Sequence, residues 1–372
     1  MRKWLIIASF IIVTSCLGFL YSFKPDNSLA QQDVIKEHVV FWYYSEEMTK
    51  EVYRFEKDYP HIKVITRLVK NPEILLEELY AAVSAGNPPD IAEIPSWYGI
   101  YPLIEKGTIY PVNDLLDNEY KAELPDAFTK RFQMINELWA IPISYEVPTL
   151  FIHEAYLGQI VQNLDTSSAL PKIMSENKFP NIKWNINADN NYPWYLIHLK
   201  NQNNSIVNNT EVELIEATKY FLFHKNHLAL TEFVNGEGGI LMSSSSKLQL
   251  VEKQVGNKFK WKVAPFPIEE TKIIPNGNGL VVFKKEEILR NNTKQFLLYM
   301  QKEERLNSFA LASSTIPANK QLVESKPFQD NYRYFPDYQR LLITSLAAEG
   351  RFMTAEDELE WNKLIESNEN RR

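Results

Sequence analysis

The chain has 372 residues, with 40 Lys and Arg against 47 Asp and Glu; its net charge of −7 makes nucleic acid an unfavourable partner for the surface as a whole. The length allows two domains with substantial cores, and 45 % hydrophobic with 23 % charged residues falls in the globular range. One cysteine, Cys16, excludes an internal disulfide and a cysteine-built metal site.

Arg2 and Lys3 precede an apolar run over residues 4–13 and then Thr14-Ser15-Cys16. A basic start, a short apolar core and small residues before a cut site describe a secretory signal. Apolar character continues to Phe23, so residues 4–23 are also just long enough to span a bilayer as an uncleaved anchor. Either way the rest of the chain lies outside the cytoplasm. Residues 24–36 are polar and aperiodic, as expected of a tether.

Residues 39–44 read as a buried strand. Ser45 caps the next helix, with Glu46 and Glu47 in its first turn, and Pro60 ends it. Residues 62–69 alternate as a second strand. Asn71-Pro72 opens another helix, which Gly86 closes before the rigid turn Asn87-Pro88-Pro89. A third strand over 90–94 opens at Pro95 into a loop carrying Trp97 and Tyr98. Strands alternating with helices at this spacing predict βαβ units and a mainly parallel sheet. Ligands of such sheets lie beyond the strands' carboxyl ends, where aromatic rings cover an apolar face. Trp97 and Tyr98 are the stacking candidates.

Residues 131–142 read as a tight hairpin followed by a strand. Trp184, Trp194 and Tyr195, with Asn190 and Asn191, either line a groove or pack in a core. Thr210 to Glu213 form a capping box for a helix running toward His227. Ser243, Ser244, Ser245 and Ser246 follow a strand and open a helix over 247–254. Such an N-terminus suits an anion or hydroxyl group, or needs a single serine as a plain cap. Arg333 and Arg340 are the basic groups available to complete a phosphate site. Asn276, Gly277 and Gly279 sit where a strand edge lets backbone approach a ligand, or form a simple turn. Catalysis has little support: no G-x-S-x-G elbow occurs, and His224 and His227 share a helix face without a third metal ligand.

"SAGNPPDIAEIPSW", followed by "EKGTIYPVNDLL", resembles the extracellular solute-binding proteins of bacterial ABC importers, in the subgroup that takes up sugars, oligosaccharides and glycerol phosphates. "EVYRFEKDYPHIKVI", the crossing segment 143–152, the strand 233–243, the return strands 260–267 and 275–283, and the turn 314–319 extend the likeness. The family's Tyr-Asn-Lys ending is here Ile152-His153-Glu154. Val13 to Cys16 resembles a lipobox, with Val in place of Leu, which makes Cys16 the lipidated residue.

The resemblance implies an α/β periplasmic-binding-protein-like fold: two discontinuous lobes, joined by a hinge, with the ligand cleft between them. Residues 1–15 would be a lipoprotein signal and 16–37 a tether; 38–145 with 275–316 would form lobe 1, and 146–274 with 317–372 lobe 2. It places ligand contacts at Tyr43, Tyr44 and Glu46, where the first strand ends, and at Tyr145 on the crossing segment. It likens Ser243 to Ser245 to the branch that binds glycerol 3-phosphate and its diesters. The implied function is capture of a saccharide or polyol phosphate outside the cell, by a lipid-anchored monomer without cofactor, and delivery to ABC permease subunits. A ligand-sensing receptor of the same fold is the alternative. A secreted glycoside hydrolase, needing two carboxylates across a cleft, is a remote third.

Overall fold

Strand β1 (Glu37–Tyr43) alternates as a pleated strand must: Val39, Phe41 and Tyr43 are buried, while Val40 and Trp42 on the other face are partly covered. The helix Met48–Asp58 lays Met48, Val52 and Phe55 on the buried face. Phe55 meets Phe296 edge-on at 4.9 Å, and Phe41 stacks on Tyr43 at 4.9 Å. Strand β2 (Ile62–Leu68) pairs β1 in parallel along its whole length. The helix Pro72–Ser84 starts with Asn71 accepting from the Ile74 N–H, and ends through Gly86, whose φ of +72° suits glycine. Strand β3 (Ile91–Pro95), buried throughout, then runs parallel to β1.

This computed structural model describes residues 37–157, 182–189, 228–265, 274–285 and 291–348, with single positions at 352, 354 and 359. The remaining described strands are β4 (Ile109–Tyr110), β5 (Gln133–Met134), β6 (Glu137–Leu138), β7 (Ile141–Glu146), β8 (Pro148–His153), β9 (Trp184–Ala188), β10 (Gly238–Ser244), β11 (Trp261–Pro265), β12 (Asn276–Phe283) and β13 (Ile316–Pro317). They form a larger sheet of order β13-β7-β12-β3-β1-β2, with β4 also on β12, and a smaller one of order β11-β8-β10-β9. Strands β5 and β6 make the expected hairpin, turning at Ile135 and Asn136, both at positive φ.

The chain crosses between sheets at Val147, from β7 directly into β8, and returns between β11 and β12. Residues 260–267 were expected as a return strand to the first lobe. Instead β11 pairs antiparallel with β8 and belongs to the smaller sheet. The reason is packing: β8 is buried at every position and needs a neighbour on both edges, β10 on one and β11 on the other. Among the C-terminal helices, Asn291–Met300 packs on β1 and Glu303–Ser313 on β7 and β13, both against the larger sheet. The helix Pro336–Leu346 lies on β11 and on the helical turn Asp126–Thr129, so it touches both sides of the crossing. The signal, the tether, Cys16, Asn190, Asn191, Trp194, Tyr195 and the helix expected over 210–227 lie outside the described residues.

Candidate ligand-binding site

Because β12 runs antiparallel to β3, and β7 antiparallel to β12, one end of the larger sheet collects the ends of β1, β3 and β7 and the start of β12. A cavity of about 280 Å³ opens there, at the carboxyl ends of the parallel strands. Tyr44 and Ser45, Pro95, Trp97 and Tyr98, Ser144 and Glu146, and Asn276 to Asn278 line it. Lys70 and Pro72 come from the turn into the second helix, and Phe309, Ser313 and Thr315 close the far side. From beyond the crossing comes Ser246. The cavity therefore sits at the junction of the two sheets, and most of its wall belongs to the larger one.

Its floor is backbone. A Cβ on Gly277 would fall 2.2 Å from the Ser144 carbonyl oxygen and 2.6 Å from the Phe128 ring, so only glycine fits. The Gly277 carbonyl accepts from the Ser96 N–H at 2.9 Å. Next to it Asn278 accepts from the Ser144 N–H at 3.1 Å and its hydroxyl at 2.9 Å, and donates to Glu93 at 2.5 Å. Glu93 is fully buried and gathers the strand ends: it also accepts from the N–H groups of Tyr44 (3.0 Å) and Ser45 (2.9 Å) and from the Ser45 hydroxyl (2.5 Å). Burial pushes its carboxyl up from the ordinary value, while these hydrogen bonds pull the other way.

Glu146 is the carboxylate of the wall. One oxygen accepts from the Asn276 amide at 2.8 Å, and the other accepts from the Ser244 hydroxyl, so the residue joins both sides of the crossing. The basic group in the described lining, Lys70, is ion-paired with Glu46. That pairing holds the exposed Glu46 carboxyl below its usual range.

The serine run is occupied by the protein itself. Ser243 donates to the Asp189 carboxylate at 3.0 Å, and Ser244 donates to Glu146 and accepts from the Ser246 N–H at 3.2 Å. Ser245 and Val147 exchange hydrogen bonds, Val147 N–H to the hydroxyl at 3.0 Å and Ser245 N–H to the carbonyl at 2.9 Å. Ser243, Ser244 and Ser245 are buried, and only Ser246 reaches the cavity. With two carboxylates already taking its hydroxyl protons, this turn is a poor seat for a phosphate.

Of the residues singled out from sequence, Tyr44, Trp97, Tyr98, Asn276 and Gly277 come together around the cavity. Tyr43 points into the core, where its hydroxyl meets Thr49 at 2.9 Å. Glu46 stands outside on Lys70. Tyr145, expected to face the cleft, stacks on Phe128 at 5.4 Å and joins its hydroxyl to Ser345 at 3.1 Å; its neighbour Glu146 takes the cleft position, since successive strand residues face opposite ways. Arg333 lies over Tyr334, Arg340 pairs with Asp337, and neither is in the lining. Trp184 is buried with its N–H on Glu232 at 2.7 Å. Glu93, Glu146 and Asn278 escaped the sequence reading; the strand-end position of each was the available signal. No cluster of three or more metal-ligating side chains occurs among the described residues.

A second cavity, about 780 Å³, lies at the opposite end of the larger sheet, between His38, Gly86, Asn87 and Lys284. Lys285 on its rim is paired with Asp90 at 2.8 Å.

The model of the bacterial extracellular solute-binding protein family matches residues 51–336, well over half of the chain. An uncharacterized ABC transporter extracellular-binding protein of Pyrococcus horikoshii is 24 % identical over 144 residues; that match spans 36 % of this chain and about a third, 32 %, of the relative. Among solved structures, the sugar-binding protein MalE of Xanthomonas citri superposes with a TM-score of 0.70 at 16 % identity, over 90 % of this chain and 91 % of that one. The MalE domain of Bdellovibrio bacteriovorus bound to maltotriose gives 0.65 at 15 %, over 90 % and 93 %. UgpB of Mycobacterium tuberculosis with glycerophosphocholine gives 0.64 at 14 %, over 90 % and 98 %. At these identities the superpositions establish the two-lobed α/β fold. With the family match over residues 51–336, the chain belongs to the bacterial extracellular solute-binding proteins.

Proposed function

We propose that this protein captures a neutral saccharide outside the cell and delivers it to the permease of an ABC importer. The observation that carries this reading is the composition of the cavity wall. Trp97, Tyr98 and Phe309, each nearly covered, back it with apolar side chains, while the partly exposed Glu146, Asn276 and Ser246 are polar groups that match sugar hydroxyls. The phosphate-ester ligand is disfavoured by the carboxylates on the serine run and by the pairing of Lys70 with Glu46. Lipid attachment at Cys16 would hold the protein at the outer face of the cytoplasmic membrane, and metabolic labelling with palmitate, lost in Cys16→Ser, tests that part.

The test of the ligand class is a thermal-shift series with maltotriose, mannotriose and glycerophosphocholine. A ligand at about 100 times its dissociation constant stabilises by about 2.7 kcal/mol, a shift of several degrees for a chain of this size. Shifts with the trisaccharides and none with glycerophosphocholine are expected. A shift with glycerophosphocholine alone would overturn the neutral-saccharide reading and return the phosphate esters.

A further inference from the structure

A chain that leaves one sheet for another strands the peptide groups at the crossing, because they belong to neither ladder. Val147 is in that position. Glu146 before it pairs with Asn276 on β12, and Pro148 after it stands opposite Ser244 on β10. Val147 itself is buried, so its N–H and carbonyl need partners within the protein. Ser245 serves both. Its hydroxyl accepts from the Val147 N–H at 3.0 Å, and its own N–H donates to the Val147 carbonyl at 2.9 Å. That carbonyl also accepts from the Thr149 hydroxyl at 3.0 Å.

Helix capping does not account for Ser245. The helical turn Ser245–Lys247 is capped by Ser244, whose hydroxyl accepts from the Ser246 N–H. The remaining polar group of Ser245, its carbonyl, accepts from the Tyr338 hydroxyl at 3.1 Å. Ser245 has no exposure to solvent, so every polar group it offers to a partner is spent inside the protein. Its place in the chain gives the clamp a consequence. Val147 directly follows Glu146 and Ser246 directly follows Ser245, and both Glu146 and Ser246 line the cavity. We infer that Ser245 is a positioning residue of the cavity: by gripping Val147 it holds Glu146 and Ser246, polar lining groups from the two sides of the crossing, at one spacing. The grip also takes the Val147 torsions out of the set that a hinge can use. The consequence for affinity rests on the saccharide reading above; the clamp itself does not.

The experiment has two arms so that the two ideas fail separately. In the full chain carrying Cys16→Ser, spin labels are placed at Lys50→Cys and Lys253→Cys, exposed positions on helices of the two halves. The distance distribution is then measured without ligand. Ser245→Ala should make it about twice as wide, whereas Ser243→Ala, which also breaks a buried hydrogen bond of the run, should leave it as in wild type. An unchanged width in Ser245→Ala, or equal broadening in both variants, overturns the inference. Should Ser245→Ala fail to fold, hydrogen exchange of the unmutated chain decides: the Val147 amide should be as slow as the ladder amides of β8, and fast exchange overturns the clamp. In the second arm, calorimetric titration with maltotriose follows wild type, Ser245→Ala, Ser246→Ala and the double variant. Ser245→Ala should weaken binding about tenfold alone and add little in the Ser246→Ala background. Equal losses in both backgrounds would mean that Ser245 does not act through Ser246, and overturn its role in the cavity. If wild type binds no saccharide while Ser245→Ala still widens the distribution, the clamp stands and the ligand reading falls.

Discussion

The side-chain amide of Asn278 donates to the carboxylate of Glu93 at 2.5 Å, joining β12 to β3 directly beneath the cavity. Glu93, on β3, collects four such donors from two other segments, the end of β1 and β12, so the spacing between the strand ends is set by one buried carboxylate. Replacing it with Gln turns an NH₂ toward those donors, at a cost of about 2 kcal/mol. The pH dependence has a definite sign. Burial raises the folded-state carboxyl above its ordinary value of 4.5, so the folded protein binds the proton more tightly than the unfolded chain does. The associated stability is fully present below the unfolded value and is lost as pH rises through the folded one. Urea denaturation should show the advantage of wild type over Glu93→Gln shrinking as pH rises from below the ordinary value of 4.5 through the raised folded-state value. A gap that stays flat would refute the raised value.

Glu146 is charged and accepts from both sides of the crossing. Truncation to Ala removes a charged acceptor worth about 1.5 to 3 kcal/mol, so affinity for a neutral trisaccharide should fall about tenfold or more. Glu146→Gln should cost less, and should raise any residual binding of glycerophosphocholine by removing a negative charge from the wall. Isothermal titration with both ligands checks the pair.

The serines should separate into two kinds. Ser243→Ala strips a partner from the buried Asp189 carboxylate and should cost about 1 to 3 kcal/mol of stability, read from the urea midpoint. Ser246→Ala should leave that midpoint within about 0.5 kcal/mol and weaken ligand binding instead. Equal behaviour of the two variants would contradict the arrangement described for the run.

Gly277→Ala puts a methyl group against the Ser144 carbonyl, a backbone atom that cannot step aside. Overpacking of about 1 to 3 kcal/mol is expected, with weaker binding because the floor lifts. At Gly279 the nearest atom is the edge of the Phe132 ring at 2.9 Å, so the same substitution there should be milder. Circular-dichroism melts of the two variants rank them.

Local rules carried the sequence reading a long way on the larger sheet. Asn71-Pro72 and Gly86 bracket a helix as cap and stop signals should, and the hairpin at Ile135-Asn136 and the loop with Trp97 and Tyr98 fall where the pattern put them. The losses came where distance along the chain hides a partner. Ser243 and Ser244 read as an anion site or a plain cap because their partners are distant in the chain, Asp189 by 54 residues and Glu146 by 98. Tyr43 and Tyr145 were one pleat out: each faces the core, while its neighbour, Tyr44 or Glu146, faces the cavity. Composition alone does not say which face of a strand a helix will cover.

The helix Pro336–Leu346 reaches across the crossing at two points. Tyr338 donates to the Ser245 carbonyl at 3.1 Å, beyond β10, and Ser345 meets the Tyr145 hydroxyl on β7. A lobe tethered only through Val147 and the segment after β11 could swivel about several axes, as a panel on a flexible cord does. A strut pinned to both halves removes most of those freedoms. Rotation about a line near the helix would then be the favoured motion, opening the cavity mouth like a book held along its spine, with twisting or sliding of one half past the other disfavoured.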